Sequence, residues 1–395
     1  MIWFNVKGKK KAIVSLSALS LALLIAGVSF TARSVGGMGL AFVFVLISLL
    51  SITGLTNALM LLTSTTLALT VAEFTAGIFD KSPAAPRIEQ TTHFSPDSDM
   101  AIRWDAYHSM SELGFLPLPG RYTSKRLSGV GDTVYDVVYS IGEDRFRITP
   151  QTNYTAKIHI NFFGCSFMFG EGLNDNETLP YFIHFLANHI SVKNYGMSGY
   201  GVHQALRILE STQDVRGNIN FLLTFPWHAE RSACLPDYGQ GSPKYTLRDD
   251  GRLALDGNCP KPPDWDSLRN RIPRHSNLYR QIKQFIRERR QDGEIDLYLA
   301  IINQLNTLSH ARGQRFIVGF IKVNDNWFSG EYSNLKIMDQ LTKMGIEVLD
   351  VTLGPTGNRL EMEYYLHDLD RHPSAKANEA RAMLIKKYLD NGPVL

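Results

Sequence analysis

From Lys157 onward, segments with strand character alternate with segments of helical period. "KIHINFFG" is strand-like and ends in glycine, "ETLPYFIHFLANHI" has helical spacing, "SVKNYG" is strand-like, "GVHQALRILEST" helical, and "INFLLTF" a strand again. After an irregular stretch come two helical segments, "NLYRQIKQFIRERR" and "IDLYLAIINQLNTLSHARG". The strand "RFIVGFIKV", the helix "NLKIMDQLTKMG", the strand "IEVLDV" and the helix "PSAKANEARAMLIKKYL" complete the series. Alternation at this spacing predicts an α/β fold, a mostly parallel sheet with helices on both faces. Sheets of that kind gather their sites at the carboxyl ends of the strands. The loops that follow strands are therefore the places to look for chemistry.

After the first of these strands stands Gly164-Cys165-Ser166-Phe167-Met168-Phe169-Gly170-Glu171-Gly172. A serine just before a helix presents its hydroxyl and its own N–H at the rim of the sheet, where a nucleophile and an oxyanion donor are useful. The same serine also serves as an ordinary helix cap, and this stretch alone leaves both readings open. The second loop, "NYGMSGYG" (Asn194 to Gly201), holds three glycines in eight residues. Its spacing fits neither GxGxxG nor a phosphate loop with lysine. The third, "FPWHAER" (Phe225 to Arg231), puts His228 and Arg231 where a side chain reaches Ser166. His228 is either an oxyanion donor or a surface imidazole. Asp370 and His372 stand two apart near the end of the chain, before a helix capped by Ser374. A serine attacks an ester when a base takes its proton and a carboxylate orients the base. Asp370 and His372 can supply both from one loop, with Asp368 a rival orienter.

These residues resemble the SGNH/GDSL hydrolase superfamily over roughly residues 157–390. The Ser166 turn looks like its first block, Gly199 like the backbone oxyanion donor of its second, and "DRHPS" like its last. The resemblance implies a three-layer α/β/α sandwich with a parallel sheet. It implies a catalytic triad of Ser166, His372 and Asp370, and an oxyanion hole of Ser166, Gly199 and His228. Three unevenly placed cysteines without a CxxC pair argue against a zinc site, and no cofactor or metal is expected. Trp227 and Arg231 are candidate substrate-binding residues. Two departures stand out. Gly164-Cys165-Ser166 replaces Gly-Asp-Ser, which raises Cys165 as a rival nucleophile or as a buried small residue. The third block's Gly-x-Asn-Asp is missing, and His228 falls where its asparagine would be.

The first 80 of the 395 residues differ in composition from the rest. Lys7 to Lys11 lead into the uncharged stretch Ala12 to Ala32, long enough to cross a bilayer, and Gly36 to Ala72 is uncharged as well. Three spans, about 12–32, 36–53 and 56–77, fit best. With the lysines cytoplasmic, an odd number of spans puts the remainder outside, whereas two spans would leave it inside. Residues 81–99 read as a Pro/Ser-rich linker and 100–155 as a β-rich lead-in without a catalytic constellation. Residues 156–395 form the catalytic domain, with an insert at 232–277. "KYTLRDDGRLAL" in that insert reads as a hairpin around Asp250-Gly251. Tyr238, Tyr245 and Trp265 in it, with Trp227, either stack on sugar rings or pack the insert. Cys234 and Cys259 flank a Pro/Gly-rich stretch and are either bonded in an oxidising compartment or two free thiols. A net charge of +3 spread along the chain excludes a nucleic-acid footprint.

The expectation is a multi-pass protein of the bacterial inner (cytoplasmic) membrane, its catalytic domain on the extracytoplasmic side. It would be a serine esterase acting on O-acyl, chiefly O-acetyl, esters of a cell-envelope carbohydrate, beside envelope polysaccharide machinery. The rivals are an O-acyltransferase using the same triad and a degenerate glycan-binding scaffold.

Overall fold

The structure, a computed structural model, describes residues 66–68, 70–75, 91–96, 112–128, 131–150, 156–187, 189–212, 217–235, 239–248, 250–260, 277–354, 362–368 and 370–391. The chain divides into two units, one of Met1–Ala85 with Pro263–Arg287, the other of Pro86–Pro262 with Glu288–Leu395. In the first unit residues 66–68 and 70–75 are helical, with the Thr70 hydroxyl donating to the Thr66 carbonyl at 2.8 Å. Among the described residues no helix is long and apolar enough to cross a membrane. The expected spans 12–32 and 36–53, and most of 56–77, lie outside the described residues.

The second unit opens with an antiparallel sheet of β1 (Thr91–Pro96), β2 (Gly120–Leu127) and β3 (Thr133–Ile141), in that spatial order. β1 lies inside the stretch expected to be linker. Its pairing partner β2 is far along the chain, and the flanking proline and serine hide a strand that only the pairing makes visible.

The chain then enters the main sheet through β4 (Ile158–Phe163) and β5 (Ile190–Asn194), followed by β6 (Ile219–Thr224). The hairpin β7 (Pro243–Leu247) and β8 (Leu253–Asn258) turns at Asp250-Gly251, as the sequence suggests. β9 (Arg315–Phe320) and β10 (Glu347–Asp350) complete the sheet, whose spatial order is β5-β4-β6-β9-β10 with every pairing parallel. In the order in which the chain enters it, the sheet reads 2-1-3-4-5. Its topological switch point, and hence its crevice, lies between β4 and β6. A last small hairpin, β11 (Tyr365–His367) with β12 (Asp370–Pro373), sits just before the C-terminal helix.

The helices are α1 (Ser166–Phe169), α2 (Leu179–Leu186), α3 (Val202–Ser211), α4 (His228–Ser232), α5 (Asn277–Ala311), α6 (Asn334–Lys343) and α7 (Ala375–Asn391). Alternation along the strands sorts the core into two layers. Ile160 and Phe162 of β4 and Phe221 and Leu223 of β6 pack with Leu179 and Ile183 of α2 and Ala382 and Ile385 of α7. Phe163 and Leu222, on the other face, pack with Leu206 and Leu209 of α3, Tyr298 and Ile302 of α5 and Ile337 of α6. On that second face two buried amides satisfy each other. Asn161 donates to Asn220 Oδ1 at 2.9 Å, and Asn220 donates to Ser309 Oγ and Gln314 Oε1, each at 2.9 Å. α2 begins after Thr178 with Pro180 in its first turn, and α6 is capped by the Ser333 side chain.

The two helical segments expected between 277 and 313 are one helix, α5. "QDGEID" looks like a break, but a lone Gly293 costs a helix only about 1 kcal/mol and no proline follows it. The insert hairpin is tied to α3. Tyr245 is buried and donates to Glu210 Oε2 at 2.6 Å, so it packs the insert. Tyr238 and Trp265 lie outside the described residues. Cys234 and Cys259 form a disulfide that closes the two ends of this segment, with Cα atoms 5.4 Å apart.

Candidate active site

β4 runs into Gly164 and Cys165, and α1 begins at Ser166. Cys165 has extended backbone and Gly170 closes the single turn in the left-handed region. The N–H groups of Gly170 and Glu171 both donate to the Ser166 carbonyl, at 2.9 and 3.0 Å. Cys165 is 1 % exposed and lies in the apolar layer under α2. Its side chain behaves there as a small hydrophobe.

The hairpin β11–β12 brings the end of the chain to the same rim. His372 Nε2 lies 2.9 Å from Ser166 Oγ, across 206 residues of sequence. On its other side Nδ1 lies 2.5 Å from Asp370 Oδ1, and the same oxygen accepts the His372 backbone N–H at 3.0 Å. Asp368, the rival orienter, is exposed, and the carboxylate bonded to Nδ1 is that of Asp370. Ser374 caps α7 as expected, accepting the Ala377 N–H. Burial works against the Asp370 charge, but the hydrogen bond and charge of His372, with Arg126, outweigh it and hold the carboxyl below its usual range. Burial alone would push His372 down. Glu171, and then Asp370, outweigh that and leave the imidazole above its ordinary value, with Arg126 opposing them. A neutral imidazole with its Nδ1 proton directed at Asp370 offers Nε2 as acceptor to the Ser166 hydroxyl, the geometry of a base ready to take that proton.

Glu171 is a site residue the sequence did not single out. Its Oε2 lies 3.7 Å from His372 Nε2 and accepts the Ser198 hydroxyl at 2.8 Å. Glu171→Gln keeps an acceptor for Ser198 and removes the charge. The His372 pKa is then expected to fall, because its largest upward influence is gone. A base that loses activity on protonation must show its acid limb at lower pH in the variant. The kcat/KM profile across about pH 5–8 checks this, and an unmoved or upward-moving limb contradicts it.

The second loop is bolted to the first. Asn194, fully buried, donates to the Met168 carbonyl at 2.9 Å and accepts the Gly196 N–H at 2.9 Å. A Cβ on Gly196 would lie 2.6 Å from Met168 Cβ and 2.7 Å from the Phe169 N, so only glycine lets the two loops approach. Gly199 has φ +85°, again a glycine conformation, and follows directly on Ser198, the partner of Glu171. Among the described residues nothing accepts from the Ser166 or Gly199 N–H.

The chain is similar to lipolytic G-D-S-L proteins of known structure. A member of that family from Veillonella parvula is 12 % identical, with a TM-score of 0.32, covering 59 % of this chain and 99 % of its own. The psychrotrophic esterase EstA from a Pseudoalteromonas species is 12 % identical, with a TM-score of 0.33, covering 60 % of this chain and 100 % of its own. An alpha/beta hydrolase from the metagenome of Lake Arreo, Spain, is also 12 % identical, with a TM-score of 0.32, covering 59 % of this chain and 95 % of its own. No family model and no curated protein matches the chain.

The third loop follows β6, on the far side of the switch point. His228 is fully buried, with Nδ1 2.9 Å from Thr224 Oγ1, which lies 3.1 Å from the Tyr298 hydroxyl. Burial, aided by Arg231 and His203, pushes the His228 pKa well down, so the ring is neutral. If Tyr298 donates to Thr224 and Thr224 to Nδ1, every hydroxyl proton is used and the ring proton stands on Nε2. That nitrogen is buried without a hydrogen-bond partner. His228 is thus no surface imidazole but a buried neutral one, and the opposite hydroxyl orientations would put its proton on Nδ1 instead. Trp227 stacks on Phe225 at 4.4 Å, Phe225 meets Phe167 edge-on at 4.8 Å, and Phe167 lies 5.6 Å from the His372 ring. Together they form an aromatic wall beside Ser166. Arg231 donates to the Tyr200 carbonyl, tying the third loop to the second. Among the described residues no group of three or more His, Cys, Asp or Glu side chains could hold a metal ion.

Proposed function

We propose that the chain is a membrane-anchored serine esterase that removes O-acyl groups, O-acetyl foremost, from a cell-envelope carbohydrate. One observation carries the reading: the unbroken hydrogen-bond chain from Ser166 through His372 to Asp370. In the reaction His372 Nε2 takes the hydroxyl proton as Ser166 Oγ attacks the ester carbonyl. The N–H groups of Ser166 and Gly199, with His228 Nε2, are the donors available to the tetrahedral oxyanion. Collapse of that intermediate expels the alcohol, which takes its proton from the imidazolium. Water, deprotonated by the same imidazole, then releases the acid and restores Ser166. Asp370 stays ionised throughout and stabilises the imidazolium.

The Cys234–Cys259 disulfide supports an oxidising compartment, hence a domain on the extracytoplasmic side of the inner membrane. The long uncharged stretches before residue 73 support the anchor. An active-site fluorophosphonate is expected to label the wild-type protein covalently and to leave Ser166→Ala unlabelled. Labelling of both proteins alike, or of neither, contradicts the esterase reading and favours a glycan-binding scaffold. Product analysis with an acetyl ester, with and without a sugar acceptor, separates hydrolysis from transfer to a second hydroxyl.

A further inference from the structure

The antiparallel sheet that precedes the main domain sends a charge into the site. Arg126, at the end of β2, donates from Nη1 to Asp370 Oδ2 at 2.7 Å, linking residues 244 apart in sequence. The Asp370 side chain is 3 % exposed and that of Arg126 20 %. The two carboxylate oxygens are thereby divided. Oδ1 takes both bonds from His372, and Oδ2 takes Arg126. The β2–β3 register slips by one residue between Arg126 and Leu127, the kind of irregularity that re-aims a strand side chain. The same sheet holds the serine loop as well, since the Tyr139 hydroxyl accepts the Gly172 N–H at 2.8 Å.

We propose that Arg126 is a positioning residue for the Ser166 reaction: its guanidinium locks the Asp370 carboxylate in the rotation that presents Oδ1 to His372, which makes the β1–β3 sheet part of the catalytic unit. The inference rests on the esterase reading above. A carboxylate held through one oxygen keeps more rotational latitude, because the terminal torsion of aspartate is broad. A second, charge-assisted bond on the other oxygen removes that freedom. A displacement of about 1 Å in such a constellation costs up to ~100-fold in rate.

The charged groups that face the pair come from three elements. Glu171 and Asp370 face His372 as carboxylates, Arg126 opposes them as a cation, and Tyr135 of β3 stands in the field of Arg126. Removing the Arg126 charge therefore raises the His372 pKa and moves the acid limb of kcat/KM to higher pH, opposite in direction to Glu171→Gln. A packing defect lowers activity at every pH and leaves the limb where it was.

The test uses the full-length protein in detergent with p-nitrophenyl acetate, comparing wild type, Arg126→Gln, Arg126→Lys and Ser166→Ala. Arg126→Gln is expected to lose about 10- to 100-fold in kcat with little change in KM, to show the upward limb shift, and to regain activity with added guanidinium at low concentration. Arg126→Lys, which keeps the charge, is expected to keep the wild-type limb and lose less in kcat. Wild-type kcat and an unmoved limb in Arg126→Gln overturn the role. If Arg126→Gln does not fold, a limb shift in Arg126→Lys overturns it instead. A wild-type protein no more active than Ser166→Ala removes the esterase reading itself, whereas an active wild type with an indifferent Arg126 removes only this inference.

Discussion

Asp370→Asn lowers kcat for ester hydrolysis by about three to four orders of magnitude, with KM little changed, the scale known for serine sites whose orienting aspartate becomes an amide. The reason lies in the sharing of the two oxygens. In the native protein Oδ1 accepts from His372 Nδ1 and Oδ2 accepts from Arg126. An asparagine has one acceptor and one donor end. The guanidinium is charged and has only donors, so the amide oxygen turns to Arg126 and the NH2 group turns to His372, whose backbone N–H loses its acceptor as well. Nδ1 must then accept, the ring proton moves to Nε2, and Nε2 meets the Ser166 hydroxyl as a donor. An imidazole in that tautomer cannot take the serine's proton. Steady-state kinetics with an acetyl ester checks this, and a loss of less than about tenfold would mean that Asp370 does not orient the base.

Arg147→Met is the substitution expected to cost the most stability, about 3–5 kcal/mol. Arg147 has no exposed surface, yet it is a charged residue. It donates to Asp175 Oδ1 at 2.9 Å and to the carbonyls of Phe169, Gly170 and Leu173 at 2.8, 2.7 and 2.5 Å. Its guanidinium also lies over the Tyr139 and Phe169 rings, 4.6 and 5.0 Å from their centroids. Those carbonyls belong to the end of α1 and the loop behind it, where a helix leaves acceptors unpaired. Methionine fills much of the space and supplies no donor, so these carbonyls, that of Val138 and the partly buried Asp175 lose a partner at once. Urea unfolding followed by tryptophan fluorescence should show the loss as a lower midpoint at unchanged slope. A change below about 1 kcal/mol would mean that the loop carries itself. Because Glu171 sits in that loop, activity is expected to fall along with stability.

The parallel sheet could be read from the chain because strands buried on both faces approach continuous apolar runs, and "RFIVGF" is long enough to show it. The pair Asp370 and His372 could be read because its spacing is local and its residue types are few. The hidden part is whatever depends on distant pairing. Arg126 lies on a strand of mixed polar residues and looks like any solvated arginine; only the fold brings it to Asp370. Arg147 follows the same rule, as does Glu171, one acidic residue in a glycine-rich loop. The lead-in therefore looked chemically silent although it supports the site from behind. His228 was visible as a residue, but its neutral state comes from burial behind β6, with Arg231 and His203 adding to it, and none of that is local in sequence. Cys165 and Ser166 were rivals on paper, and the turn separates them: the thiol lies under α2 while the hydroxyl meets the imidazole.

The most direct measurement is to locate the acyl group during turnover. Rapid acid quench of the protein within its first cycle on p-nitrophenyl acetate, followed by digestion and fragment mass spectrometry, should find one acetyl group on the peptide spanning 157–176, carried by Ser166. An acetyl on Cys165 or on a histidine, or turnover with Ser166 never modified, would contradict the account.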